Sequence, residues 1–344
     1  MKRLPIALLA AALLPALARA DNLLITGAGA TFPFPIYSKW FSDYNKQHPD
    51  LRFNYQSIGS GGGIKQVTEK TVDFGASDAP MTDEELSKAP GVQHIPTVLG
   101  AVVVTYNAPV EGLKLTADTL AALFMGEITK WNDPKLAADN AGVKLPDTAV
   151  TVVHRSDGSG TTAIFTDYLA KASPAWKAKV GVGKSVKWPA GLGAKGNEGV
   201  TGLVKGTPGA VGYVELAYAS QNKLSMASLR NADGVFVKPS LAGTSAAAAG
   251  VDVPADYRVS ITNAKGKESY PISAFTYLLV YKDQADKAKG EALLKFLWWA
   301  VHEGQQIAPS LDYAALPKPV VAKIEKTLET LTVLGKPVPL ASSR

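Results

Sequence analysis

The chain contains no cysteine and only four histidines in 344 residues. Without a thiol there is no disulfide framework, no cysteine nucleophile, no thiolate metal site and no cysteine to carry a lipid anchor, so the folded state rests on ordinary packing. His48, His94, His154 and His302 are scattered, with no HExxH pair, and each reads as a surface or strand residue rather than a ligand or base. Lys and Arg form no run long enough for a nucleic-acid tail. After the first twenty residues no long uncharged apolar stretch occurs.

Those first residues, MKRLPIALLAAALLPALARA, have a basic start at Lys2 and Arg3, an apolar stretch from Ile6 to Leu17 and a small-x-small end at Ala18, Arg19 and Ala20. The pattern is that of a secretory signal peptide over residues 1–20, too short for an ordinary spanning helix once Pro5, Pro15 and Arg19 are counted. The mature chain is expected to begin at Asp21. Loss of Lys2, Arg3 and Arg19 lowers the formal charge from +6 to about +3, a mild excess that helps attract anions and decides little else. The remaining length suffices for two domains with full cores.

From Leu23 onward strand-like and helix-like segments alternate, which predicts α/β layers with mainly parallel sheets. LLITGAG is a strand, and Pro33 and Pro35 stand where a helix carrying Ile36, Trp40 and Tyr44 begins. LRFNYQSI leads into Gly59 to Gly63 and a short helix with Ile64 and Val67, and TVDFGAS runs into DAPMTDEEL, where Asp78 or Thr82 is placed to cap a further helix. AVTVV, residues 149–153, is a β-branched strand. It is followed by HRSDGSGTTAIFTDYL, in which Ile164, Phe165, Tyr168 and Leu169 recur at helical spacing until Ser173 and Pro174. AVVVTYNAP (101–109) is a place for the chain to leave the first domain, and SYPISAFTYLLVYKD (269–283) a place to return. AGTSAAAAG (242–250) reads as a low-complexity surface connection, and KAKGEALLKFLWWAVHEGQQIA as an amphipathic helix whose Trp298 and Trp299 pack on the core or its flank.

The recurrent feature is a strand that ends in Gly, Ser, Thr or Asp at the start of a helix. Free amides at a helix N-terminus point at whatever sits there, and the dipole favours negative charge. Gly158, Gly160 and Gly61 to Gly63 permit close backbone approach. Arg155 adds a planar fork of donors suited to a tetrahedral oxyanion, and Asp157 is near enough in sequence to hold that fork. Such sites belong at the carboxyl ends of strands in α/β sheets. Other phosphate and nucleophile motifs fail. GVGKS (181–185) has Ala178 where a P-loop needs glycine, GAGATF has Phe32 in place of the third glycine of a dinucleotide fingerprint, and Ile58 and Asp157 exclude G-x-S-x-G around Ser60 and Ser159.

Seven segments, TGAGATFPFPIYSKW, GSGGGIKQV, VDFGASDAPM, VVHRSDGSGTTAIFTDYL, VKWPAGLGAKGNEGV, GAVGYVELAYA and LDYAALP, run in order from Thr26 to Pro317. Together they resemble the periplasmic phosphate-binding proteins of the Pst-type ABC uptake system. The resemblance implies an α/β, two-lobed class II periplasmic binding protein-like fold, each lobe a mixed sheet flanked by helices, with the ligand in the interdomain cleft. Residues 21–105 and 273–344 would form lobe I and residues 106–272 lobe II. Also implied are inorganic phosphate as ligand, the membrane subunits of an ABC phosphate permease as partners, and a monomer in the periplasm, with secretion beyond it left open. No cofactor, metal, nucleic acid or catalytic residue is implied.

By the same resemblance Thr31 and Phe32 contribute hydroxyl and main-chain contacts, Ser60 a hydroxyl and amide, and Asp78 a carboxylate. Arg155, Ser159, Gly160 and Thr161 contribute the guanidinium, hydroxyls and amides, with Asp157 pairing Arg155. Where many members have two serines this chain has Ser60-Gly61, which keeps an amide at Gly61 and lacks a second hydroxyl. A carboxylate facing a dianion repels it unless a proton lies between them, and phosphate near neutral pH carries one whereas sulfate does not. Sulfate would meet Asp78 as an unpaired, desolvated like charge. Two other readings remain at this point: a phosphate-ester hydrolase using the same anion cradle, and a secreted surface or matrix protein with an incidental phosphate site.

Overall fold

In the computed structural model, which describes residues 22–340, the chain alternates as its periodicity predicts. The first stretch gives β1 (Leu23–Gly29), α1 (Phe34–Gln47), β2 (Leu51–Ser57), α2 (Ser60–Thr68), β3 (Phe74–Ser77), α3 (Asp83–Lys88) and β4 (Val92–Tyr106). Further along lie β5 (Thr151–Arg155), α4 (Gly160–Ala172), β6 (Leu192–Ala194), α5 (Gly196–Gly206), β7 (Ala210–Glu215), α6 (Leu241–Ala248), β8 (Ser273–Tyr281) and α7 (Lys287–Val301). The leader peptide read at residues 1–20 lies outside the described residues.

These strands follow the order β2-β1-β3-β8-β4-β7-β5-β6. β1 pairs in parallel with β2 and β3, and β5 with β6 and β7, while β8 and β4 run antiparallel to their neighbours. The sheet is therefore mixed rather than mainly parallel. The 15-residue β4 joins its two halves: Val92–Ala101 pairs with β8 and Val102–Tyr106 with β7. At the changeover the Val102 amide donates to Ile272 O at 2.8 Å. Two lobes thus share one continuous strand.

Aromatic packing holds the first lobe. Phe41 of α1 stacks on Phe53 with ring centroids 4.6 Å apart, and Phe53 lies 4.6 Å from Phe296 of α7. α2 opens on Ser60, Gly61, Gly62 and Gly63, poor helix formers that pack where nothing larger fits. A Cβ on Gly63 would lie 2.6 Å from both Ala76 O and Gly29 Cα. The glycines let the helix start press against the ends of β1 and β3.

Three local expectations are corrected, and of the two caps offered for α3 it is Thr82 that serves. α3 starts only at Asp83, with Thr82 in a capping box with Glu85, so Asp78 caps nothing and its carboxylate stays available. β5 is shifted toward Arg155, which is its last residue. AGTSAAAAG is not a surface connection: Ser240 caps α6, and Gly243, Thr244, Ala247 and Ala248 are buried. The predicted C-terminal helix breaks at His302 and resumes as Glu303–Ile307, because the chain turns to bring Gly304 O to the buried Trp40 indole N–H at 2.9 Å.

Because no atom at the α2 contact is the far end of a flexible side chain, Gly63→Ala is expected to destabilise the fold by about 1–3 kcal/mol through overpacking. Chemical denaturation checks this, as a lower midpoint at unchanged slope. An unchanged midpoint would contradict the close approach.

Candidate functional site

The carboxyl ends of β1, β3 and β5 and the first turns of α2 and α4 meet between the lobes. Thr31 follows β1 and is buried, its carbonyl accepting from the Tyr218 hydroxyl at 2.6 Å. The Phe32 ring is fully buried over Gly100, and its carbonyl accepts from Tyr313 Oη at 2.6 Å. Phe32 can therefore present only main chain to the cleft. Ser60, the first residue of α2, accepts at Oγ from the Gly160 amide at 3.0 Å and the Asp78 amide at 3.3 Å.

Asp78 stands immediately after β3, 3% exposed. Its Oδ1 accepts from Thr276 Oγ1 of β8 at 2.8 Å, and its Oδ2 lies 3.5 Å from Ser60 Oγ. The Thr276 carbonyl in turn accepts from Thr97, whose hydroxyl is 2.7 Å from that of Tyr37. Behind the carboxylate lies a cavity of about 210 Å³ walled largely by apolar groups, among them Ala79, Pro80, Ile164 and Phe275.

Arg155 comes from the opposite lobe, 3% exposed at the end of β5. Asp157 grips it in two places, with Nε to Oδ1 at 2.8 Å and Nη2 to Oδ2 at 2.5 Å. Asp157 also accepts from the Gly196 amide at 3.1 Å, and Nη1 of Arg155 reaches Thr161 Oγ1 at 3.4 Å. Ser159 caps α4, its Oγ accepting from the Thr162 amide at 3.0 Å and its own amide donating to Lys184 O at 2.8 Å.

The lobes touch through backbone. Gly61 N donates to Gly158 O at 2.8 Å, so the amide expected at the anion is spent across the cleft instead. A Cβ on Gly160 would lie 2.4 Å from Ser60 Oγ and 2.5 Å from Asp78 Oδ2. GVGKS holds no phosphate motif here; Lys184 pairs with Glu85 of the facing lobe at 2.6 Å.

Burial raises the Asp78 carboxyl to about 7, opposed by the Thr276 hydrogen bond, the Arg155 charge and Ser60. Burial would also raise Asp157, but the hydrogen bonds and charge of Arg155 bring it below the ordinary carboxylate range. The site thus joins a cation, held by an acid kept below the ordinary carboxylate range, to a second acid poised near neutrality. Hydroxyls and first-turn amides supply further donors. Neither serine faces a histidine. His94 is buried on β4 and accepts at Nε2 from the Met81 amide at 2.9 Å, His154 stacks on Trp188, and His302 contacts Glu325.

Of the residues singled out in the sequence, Ser60, Asp78 and Gly160 join one hydrogen-bonded cluster, and Thr31, Arg155 and Thr161 join a second through Asn197. Ser159 and Gly61 contribute to their framework. Missed were Thr276, which holds Asp78, and Asn197, the second residue of α5. Asn197 donates from N and Nδ2 to Thr31 Oγ1 at 3.1 and 2.7 Å, and from Nδ2 to Thr161 Oγ1 at 3.1 Å. The one sequence signal for it was its place in a glycine-rich run, AKGNEG. A threonine inside a buried strand offered none.

Residues 16–303 match the model of the PBP superfamily domain. The chain is 48% identical over 311 residues to the phosphate-binding protein PstS of Pasteurella multocida, covering 89% of this chain and 90% of that one. It is 46% identical over 316 residues to PstS of Xylella fastidiosa, covering 90% and 86%. Among solved structures, the high-affinity periplasmic phosphate-binding protein PfluDING, bound with phosphate, superposes with a TM-score of 0.73 at 22% identity, covering 88% of this chain and 93% of that one.

Gly160→Ala places a methyl group inside contact distance of both Ser60 and Asp78, so the variant is expected to fold normally yet hold its lobes apart. Small-angle scattering checks this, as a larger radius of gyration than wild type with an unchanged melting temperature. Identical scattering curves would contradict it.

Proposed function

The chain belongs to the PstS phosphate-binding proteins of the PBP superfamily, and on that basis we propose that it captures inorganic phosphate in the periplasm and hands it to the membrane subunits of an ABC-type permease. The family is one of solute-binding proteins rather than enzymes, and we read this chain as a non-catalytic monomer. Export follows from the leader at residues 1–20. The observation that carries the reading is the pairing of a buried, donor-lined cradle with a buried acid raised to near neutrality, Asp78.

In this reading Arg155, the hydroxyls of Thr31, Ser60, Ser159 and Thr161, and main-chain groups at Phe32, Gly160 and Thr161 bind the anion, while Asp78 accepts the phosphate proton. Asp157 fixes the orientation of the Arg155 fork through two hydrogen bonds. Lobe I comprises residues 21–105 and 273–344 and lobe II residues 106–272; the divided pairing of β4 supports that assignment. Closure about β4 and β8 strips water from the anion and aligns its donors, so affinity is gained at the moment the closed form presented to the permease is made.

Selectivity follows from proton count. Above about 7 Asp78 is a carboxylate that only accepts, and sulfate has no proton to give. Below it the acid form donates, and that objection weakens as pH falls.

Titration calorimetry on phosphate-stripped protein tests the reading. Wild type at alkaline pH is expected to bind phosphate one-to-one and to favour it over sulfate by about 10⁴ or more. Sulfate binding should strengthen roughly tenfold for each pH unit as pH falls toward the Asp78 midpoint near 7, and level off below it. Asp78→Asn, which donates at every pH, should bind sulfate without that pH dependence and lose most of its preference. Comparable affinities of the two anions in wild type, or turnover of a phosphate ester by the stripped protein, would overturn the proposal.

A further inference from the structure

The geometry points to Asn197 as a positioning residue that fixes the sense in which two hydroxyls meet the ligand, making both of them obligatory donors. This rests on the phosphate reading above and concerns the same cleft.

Asn197 is fully buried at the start of α5. Its own orientation is fixed, because Oδ1 accepts from the Glu215 amide at 2.9 Å and a main-chain N–H can only donate. Nδ2 must then be the amino end, with two hydrogens to give. It lies 2.7 Å from Thr31 Oγ1 in one lobe and 3.1 Å from Thr161 Oγ1 in the other. Thr31 Oγ1 receives a second donor, the Asn197 amide, at 3.1 Å, and Thr161 Oγ1 a second in Arg155 Nη1 at 3.4 Å.

A hydroxyl has two acceptor lone pairs and one hydrogen. With both lone pairs directed at Asn197 and Arg155, each threonine has only its hydrogen left for a ligand oxygen. Neither can accept a ligand proton. Asp78 remains the charged acceptor available to the anion, and a second phosphate hydrogen directed at either threonine would meet a donor. Through the two hydroxyls it holds, and without itself touching the anion, Asn197 selects the singly protonated dianion over the dihydrogen form. It also links the lobes only when they are closed, since Thr31 and Thr161 come from opposite sides.

The charged and titratable groups facing this cluster are Arg155 and Asp157 at the end of β5, Asp78 after β3, Glu215 on β7, Tyr218 beyond it and Glu198 on α5 itself. They are present in both wild type and Asn197→Ala, so the difference between the two pH profiles reports on removal of the Asn197 side chain.

The experiment is phosphate titration calorimetry of wild type and Asn197→Ala between about pH 5.5 and 8.5, with thermal melts to verify folding. Freed hydroxyls can rotate to accept, so the variant is expected to bind about ten- to a hundredfold more weakly at the alkaline end and within about threefold of wild type at the acid end. Parallel profiles, displaced by one factor at every pH, would assign Asn197 a merely structural role and overturn the inference while leaving the phosphate reading intact. Absence of phosphate binding by wild type would overturn both. Neutron diffraction of the wild-type phosphate complex serves if the variant does not fold: hydrogens on Thr31 and Thr161 Oγ1 aimed at phosphate oxygens support the assignment, and hydrogens aimed elsewhere overturn it.

Discussion

The bidentate contact between Arg155 and Asp157 is the interaction on which the cleft depends. A guanidinium with 3% exposure is costly to bury unless a charge and hydrogen bonds accompany it. Asp157 supplies both, and does more than neutralise. Its Oδ1 also receives the Gly196 amide, which fixes the start of α5 and hence Asn197, while its Oδ2 occupies the place where a side chain on Gly59 would project, 2.3 Å from a Cβ built there. One carboxylate thereby ties together the end of β5, the beginning of α5 and the approach of the opposite lobe. Pairing is tolerable there because the cation keeps unspent N–H groups directed away from Asp157.

Glycine is the second condition. The lobes meet at Gly61 and Gly158 by a main-chain hydrogen bond, and at Gly160 by an amide to the Ser60 hydroxyl. A side chain at Gly160 would push Ser60 and Asp78 away, and one at Gly61 or Gly158 would crowd the facing backbone by a few tenths of an ångström, which works against excluding water from charges whose mutual energy depends on it. The entropy that glycine costs in the unfolded chain is offset by a cleft that closes backbone to backbone.

Much of this was legible because it is local. Strands ending in small polar residues at helix starts mark where an α/β sheet gathers ligand groups, and DGSGT places a cap, two glycines and two hydroxyls within one turn. The ordered blocks extended that reading to the whole two-lobed fold. What stayed hidden is long-range. Thr276 looked like any strand residue until the antiparallel pairing of β8 put it beside Asp78, 198 positions away in sequence. Asn197 lies 166 residues from Thr31, and no period or spacing encodes that contact. AGTSAAAAG was misread because small residues without periodic contrast look like a linker, although the same smallness lets Gly243 pack on Tyr270.

The site's chemistry lies in an imbalance of donors over acceptors. Guanidinium, amides and hydroxyls that can only donate would hold any small oxyanion, and by themselves would favour the most highly charged one. In the proposed reading Asp78 reverses that preference at one oxygen, and its environment explains why it can. The apolar wall behind it and its burial raise the proton affinity, while Arg155 and Thr276 keep the rise limited. A carboxyl held far below neutrality would repel any dianion whose proton it could not share, and one held far above would donate to sulfate as readily as any amide. Poised between these, it makes a proton on the ligand the condition for a complete set of hydrogen bonds. Recognition then turns on the ligand's protonation as well as its shape and charge.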